Sequence, residues 1–298
     1  MKIFDCFMYY DEDVILDIRL NTLNNFVDYF VIVESEYFHN GKKRKLNFNI
    51  NNYSKFKKKI IYLKHNLSSV KLEKILSKDS KSIKTMKSIN NAHKRENSQR
   101  NFISQGLNQA EENDLIMVSD VDEIPNLKNL NFNKIDNKII LFKQKIFYYK
   151  LNRYLENFTW FGTKACKKKH LINPQWLRNI KSKKYHFFRF DTYFSKLKYK
   201  NKYYIEDGGW HFSNLKKSKD IELKLKSYLH HPDYESEELG KDKIENLIKQ
   251  NKTIYNMYND KKDNKFSDNN RGDLKKFEFK KLPTYIQKNK TKFNKWLD

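Results

Sequence analysis

The chain has 298 residues and carries 61 Lys and Arg against 36 Asp and Glu, a formal net charge of +25, yet 38% of it is apolar and 15% aromatic. That content of large apolar side chains excludes disorder as its main state. No apolar run approaches the about 20 residues that a membrane-spanning helix requires.

Residues 3–8 are apolar and aromatic and predict a strand. Val14, Ile15, Ile18 and Leu23 recur at helical spacing within residues 11–24. Residues 28–34, DYFVIVE, form a continuous β-branched run, as in a strand buried on both faces. Residues 38–52 are polar and basic and predict a loop, and residues 59–64 a further strand. Residues 68–91 are rich in Lys and Ser with little periodicity, which predicts a surface excursion. A helix is expected over 96–112, with Phe102, Leu107 and Ala110 on its apolar face, then a strand over 114–118. This alternation is the signature of an α/β fold with a largely parallel sheet.

Beyond residue 139 the pattern changes to aromatic strand candidates at 139–149, 159–165 and 184–190. Helices are expected at 217–229 and 241–257, a polar loop at 259–273 and a terminal helix within 282–297, after Pro283. No repeat and no linker divides the chain. The expected organisation is one α/β domain over 1–258, with a C-terminal helical extension over 259–298 packed on it.

Three stretches carry chemistry. In IMVSDVDEIP, residues 116–125, the acids Asp120, Asp122 and Glu123 follow an apolar strand. Open α/β sheets bind ligands beyond the carboxyl ends of their strands. Two hard oxygen donors there suit Mg²⁺ or Mn²⁺, which keeps positions for water and substrate phosphates. A helix cap or a solvated turn is the competing explanation. In DGGWHFS, residues 207–213, two of only seven glycines are adjacent, which points to positive φ or close backbone approach. Trp210 offers a flat face for a sugar and His211 a ligand for a metal or phosphate; a tight turn with a buried Trp competes. In RENSQRNFISQ, residues 95–105, Arg100 is suited to bidentate phosphate contact.

The basic runs at 42–45, 57–59, 167–169 and 181–184 are scattered and lack an interleaved aromatic platform. They are read as solvated faces, which argues against nucleic acid as the partner. The charge still favours an anionic partner, such as a phosphorylated sugar donor or peripheral contact with an anionic membrane. Cys6 and Cys166 form no metal-spaced pair, which fits a reducing compartment. The acidic N-terminal residues do not make a signal peptide, so a soluble, cytoplasmic protein is expected.

Together and in order, these stretches resemble glycosyltransferase family 17, the group of β-1,4-mannosyl-glycoprotein 4-β-N-acetylglucosaminyltransferases. The resemblance runs through DCFMYYDEDVILDIRLNTL, DYFVIVESEYFHNGKKRKLNF, ENSQRNFISQGL, DLIMVSDVDEIP, WFGT, GGWHFS and LPTYIQKN. Residues 68–91 have no counterpart. The resemblance implies a GT-A fold, with a Rossmann-type mixed sheet that binds a nucleotide sugar. It implies UDP-N-acetylglucosamine as donor, inversion to a β-linkage, and dependence on Mn²⁺ or Mg²⁺. Asp120 and Asp122 match the family's D-x-D, with Asp122 as the more direct metal ligand. Glu34 and Ser35 match the end of an early strand near the nucleotide. Arg100 matches a diphosphate contact, and Trp210 and His211 match the G-W-H segment as donor and metal residues.

An inverting transfer also needs a carboxylate base opposite the leaving group. Asp207 and Glu123 are the candidates. Asp207 is preferred, because Glu123 adjoins the metal ligands. Without an anchor, the expected acceptor is a glycan or lipid-linked glycan assembled in the cytoplasm. The competing functions are transfer from another UDP-hexose, sugar binding without catalysis, and basic nucleic-acid binding.

Overall fold

Strands β1 (Ile3–Tyr9), β2 (Tyr29–Ser35), β3 (Ile60–His65) and β4 (Leu115–Asp120) form a parallel block in the order β3-β2-β1-β4. The computed structural model describes residues 1–68, 70–186, 188–227, 234, 238–256, 266 and 271–298. Phe4, Cys6, Val31, Val33, Ile116 and Val118 pack on one face of this block. Phe7, Tyr9, Phe30, Ile32, Leu115 and Met117 pack on the other. Burial on both faces is why these strands read as unbroken apolar runs.

Helix α1 (Asp13–Leu23) links β1 to β2 and buries Ile15, Leu16, Ile18, Leu20 and Leu23. Helix α2 (Lys81–Asn101) precedes β4, and Ser80 Oγ caps it by accepting from the Ile83 N–H. Past β4 the short strand β5 (Glu123–Pro125) follows. The sheet then turns mixed. β6 (Ile139–Tyr148) and β7 (Arg153–Lys167) form an antiparallel pair, and β7 also lies antiparallel to β4. Helices α3 (Pro174–Asn179) and α4 (Asp191–Phe194) lead to β8 (Lys202–Ile205) and β9 (Gly209–Ser213), both parallel to β6. β9 is antiparallel to β5.

Helices α5 (Ser218–Ser227) and α6 (Gly240–Lys249) pack with β10 (Lys252–Asn256) and β11 (Arg271–Lys276) in a third apolar cluster. β11 joins the main sheet through β7. Leu282, Ile286 and Phe293, from the last residues, share a buried cluster with Leu16 and Phe7.

Several elements differ from the sequence expectation. The second half of the 68–91 excursion is helix. α2 hides its periodicity because only Asn91, Ala92, Gln99 and Arg100 are buried along its 21 residues. It gives way to a 3-10 helix at Phe102–Leu107 and does not continue to residue 112. The described part of 184–190 forms no strand, and Phe188 and Phe190 face solvent. The helix expected over 241–257 stops at Lys249, where Asn251 turns the chain at φ 54° into β10. Of the loop expected at 259–273, only residues 266 and 271–273 are described, and the latter open β11. The terminal helix is broken into Thr284–Lys288, Lys290–Phe293 and a 3-10 turn.

Candidate active site

The acidic turn after β4 is built around Arg19. This α1 residue is fully buried and pairs with Asp5 of β1, at 2.7 Å through Nε and 2.6 Å through Nη2. Its Nη1 donates to the carbonyls of Asp120, Val121 and Glu123 at 3.0, 3.1 and 2.9 Å. Nη2 also reaches Ser119 Oγ at 2.5 Å. One guanidinium thus donates to three carbonyls of the turn, the Glu123 carbonyl also accepting from Thr163 Oγ1 of β7 at 3.1 Å, and it fixes the turn before any ligand arrives. A charge inside IFDCFM and another on the apolar face of DVILDIRL were the available signals for this pair.

Glu123 is buried beneath that turn. Its carboxylate accepts from the Asp120 N–H at 2.8 Å, Trp160 Nε1 at 2.7 Å, and Arg178 Nη1 and Nη2 at 2.8 and 3.1 Å. Close packing here requires Gly162, since a Cβ at that position would lie 2.1 Å from Gln144 Oε1 and 2.7 Å from Glu123 Cδ. Asp120 accepts from Arg100 Nη2 at 2.9 Å and Arg178 Nη2 at 3.0 Å. Burial opposes its ionisation, but the Arg178 and Arg100 guanidiniums hold its carboxyl well below the usual range. Arg178 rides on α3, which starts with Pro174 and is capped by the Asn173 side chain accepting from the Trp176 N–H. Lys164 Nζ donates to the carbonyls of Arg178 and, at 2.6 Å, Ile180, tying down the far end of α3. Burial, with the Arg178 charge, pushes the Lys164 ammonium down to about 7.

Asp122 leaves the turn in another direction. Its Oδ2 lies 3.5 Å from His211 Nε2. Burial opposes charge on both groups; each stabilises the other's charged form, lowering the Asp122 carboxyl and raising the His211 imidazole. The pair lines a cavity of about 370 Å³ beyond the carboxyl ends of β1, β2 and β4, a size within the roughly 300–1,000 Å³ range of small-ligand sites. Tyr10, Ser35, Phe38, Arg44, Arg100 and Asp120 line it. Ile146, Tyr148, Trp160, His211, Lys224 and Tyr255 line it as well. The Arg44 guanidinium stacks 4.2 Å from the Tyr10 ring. Burial opposes the Lys224 charge, but Glu12 and Asp122 raise its affinity for the proton.

A family-wide sequence comparison matches residues 1–298 to glycosyltransferase family 17. The chain belongs to that family. No curated protein matches it.

In this family 17 glycosyltransferase, Ser35, Arg100, Asp120, Asp122 and His211 share one cavity. Four other expected residues have different places. Trp210 is 7% exposed in the core and donates from Nε1 to the Lys281 carbonyl at 3.2 Å. Alternation along β9 puts it opposite His211, and the indole in the cavity is Trp160, centred 4.9 Å from His211. Asp207 is exposed outside the cavity and accepts from Asn126 Nδ2 at 3.0 Å, so it is not placed as a base. Glu123 is not placed as one either, because the contacts above occupy its carboxylate; it positions the turn. Glu34 is buried behind the cavity and anchors a loop. It accepts from Arg44 Nη2 and the Asn47 N–H at 2.7 Å, the Phe48 N–H at 3.0 Å and Tyr62 OH at 2.8 Å.

The glycine pair behaves as expected. Gly209 has φ 116°, and a Cβ on Gly208 would lie 2.5 Å from the Lys143 nitrogen. Arg178, Tyr148 and Lys224 belong to the site without having been marked by any sequence motif, and Trp160 was marked only as part of WFGT, with no role assigned.

Among the described residues no three or more His, Cys, Asp or Glu side chains are grouped to hold a metal ion. Asp122 and His211 nevertheless form a carboxylate and imidazole donor set, and His211 Nδ1 is buried without a hydrogen-bond partner among the described residues. That set fits Mn²⁺ or Mg²⁺ with positions left for phosphate oxygens. Each Asp120 carboxylate oxygen accepts from a guanidinium, Oδ1 from Arg100 and Oδ2 from Arg178.

Proposed function

We propose that the cavity binds a nucleotide sugar, UDP-N-acetylglucosamine foremost, and transfers the sugar with inversion to a hydroxyl of a glycan or lipid-linked glycan. The observation that carries this reading is the Asp122–His211 pair at the carboxyl end of β4, flanked by Arg100 and Lys224. The parallel β3-β2-β1-β4 block followed by antiparallel β7 supports a GT-A arrangement. The burial of Leu282, Ile286 and Phe293 against α1 supports reading 259–298 as part of the same unit as 1–258.

Tyr10 and Phe38 offer aromatic faces to the nucleoside end. Arg100, whose Nε is buried without a partner among the described residues, and Lys224 stabilise the diphosphate as it takes up charge. A divalent cation held by Asp122 and His211 would neutralise the leaving group further. The acceptor oxygen bonds to the anomeric carbon on the face opposite the diphosphate. The bond from that carbon to the phosphate oxygen breaks, and the acceptor proton goes to Glu12.

Glu12 lines this cavity and a second one of about 320 Å³, which Trp296 and Asp220 also line. Its Oε2 is oriented by the Tyr10 and Asp11 N–H groups at 3.2 and 3.1 Å, and its Oε1 lies 3.7 Å from Lys224 Nζ. Asn214, at φ 54°, also lines both cavities, and its Nδ2 is buried without a partner among the described residues. That donor is free for a sugar oxygen. The second cavity is accordingly read as the acceptor side.

Glu12→Gln should lower transfer by about 10²-fold or more, with UDP affinity within about threefold. Unchanged transfer contradicts the assignment. Asp207→Asn should leave transfer within about twofold; a loss comparable to that of Glu12→Gln would return Asp207 to the reaction. A thermal-shift panel of UDP-sugars discriminates the donors, since the sugar that binds tightest stabilises most.

A further inference from the structure

Residues 181–200, between α3 and β8, hold seven basic residues, Lys181, Lys183, Lys184, Arg189, Lys196, Lys198 and Lys200, against one acid. That acid, Asp191, is already paired with Arg189 at 2.8 Å and Lys198 at 2.7 Å. Within the same loop Phe188, Phe190, Tyr193 and Phe194 are 64%, 69%, 71% and 91% exposed. Large aromatics clustered in solvent, on a chain of mean hydropathy −0.92, mark an interaction surface.

The loop is fastened at its base. Trp176 Nε1 of α3 donates to the Lys196 carbonyl at 2.7 Å, and the Lys181 N–H to the Leu197 carbonyl at 2.9 Å. Lys202 Nζ donates to the Lys181 and Lys183 carbonyls at 2.8 and 2.5 Å, and Tyr204 OH to the Ser182 carbonyl at 2.8 Å. The aromatic tip is therefore presented from a held base, next to the helix that carries Arg178 to the acidic turn.

We propose that residues 181–200 dock this protein on an anionic lipid bilayer. Phe188, Phe190 and Phe194 enter the boundary between headgroups and acyl chains while the surrounding lysines meet lipid phosphates. Interfacial segments combine apolar insertion with electrostatic attraction to anionic lipids in this way. Charge complementarity selects the anionic headgroup, and the tip aromatics, set around the single turn of α4, suit insertion. Single-stranded nucleic acid would require a basic groove tracking its backbone beside the rings. Docking needs no glycosyl transfer, so it fails separately from the proposed reaction. If both hold, an acceptor carried on a lipid reaches the active site at the membrane surface.

The test is co-sedimentation of the full chain with mixed phosphatidylglycerol and phosphatidylcholine vesicles, and with phosphatidylcholine alone. Binding is expected to the anionic vesicles only, to weaken with added salt, and to fall about tenfold or more in Phe188→Ser/Phe190→Ser/Phe194→Ser. Circular dichroism should show an unchanged unfolding midpoint, because these side chains are exposed. Failure of the unaltered protein to pellet with anionic vesicles overturns the proposal, as does equal pelleting of the triple variant. Binding of single-stranded RNA that the triple variant loses, without vesicle binding, would assign the surface to nucleic acid instead.

Discussion

Asp122→Ala is expected to lower kcat/KM for sugar transfer on the order of 10³-fold, with little change in unfolding midpoint. Of the three acids in the turn, Asp122 has no guanidinium on its carboxylate among the described residues. Asp120 is held by Arg100 and Arg178, and Glu123 by Arg178 and Trp160. Asp122 faces His211 at 3.5 Å in the cavity wall. Its removal therefore takes one of two donors from the leaving-group side. Among the described residues the fold loses the His211 contact and the attraction to Lys224, and the unpaired His211 can become neutral. Asp120→Ala would be harder to interpret, because it takes one acceptor from each of two buried guanidiniums together. UDP release from UDP-N-acetylglucosamine, read beside the unfolding midpoint, checks the prediction. Near-normal transfer in Asp122→Ala would remove it from the reaction.

Arg19→Met should destabilise the fold by about 3–5 kcal/mol, read from urea denaturation. The substitution strands the Asp5 carboxylate in the core and takes the Arg19 donor from the carbonyls of Asp120, Val121 and Glu123, of which Glu123 keeps Thr163 Oγ1. These effects separate in a double variant. Asp5→Leu/Arg19→Met removes both buried charges and should recover much of the lost stability, as apolar replacements of buried ion pairs often do. The Asp120, Val121 and Glu123 carbonyls still lack the Arg19 donor, so the turn is held less firmly and transfer should remain low. Recovery of both stability and transfer would show that the turn needs no clamp. An Arg19→Met protein as stable as the parent would contradict the whole arrangement around Arg19.

The parallel core was legible because β1, β2 and β4 are buried on both faces and leave unbroken apolar runs. α2 was not, because its exposed, lysine-rich face carries no apolar stripe to read. The acidic turn was legible from its place at a strand end, but the roles within it were not. Whether Asp120, Asp122 or Glu123 is free depends on Arg100 and Arg178, which lie 20 and 58 positions from Asp120. Arg178 is one of 61 basic residues, and nothing local marks it.

Glu34 and Glu123 show the same difficulty from the other side. A carboxylate at a strand end reads as functional, but both are buried anchors with several donors each. Strand parity put His211 rather than Trp210 on the cavity face of β9. The period of two was visible, but which face opens to the cavity is set by how β9 pairs with β5 and β6.

The most direct measurement is calorimetric titration of UDP into the protein with and without Mn²⁺, repeated in Asp122→Ala and His211→Ala. If these two side chains hold a cation against the diphosphate, the unaltered protein binds UDP at least about tenfold tighter with Mn²⁺, and both variants lose that gain. Equal UDP affinity with and without Mn²⁺, or a Mn²⁺ gain that survives in both variants, would contradict it.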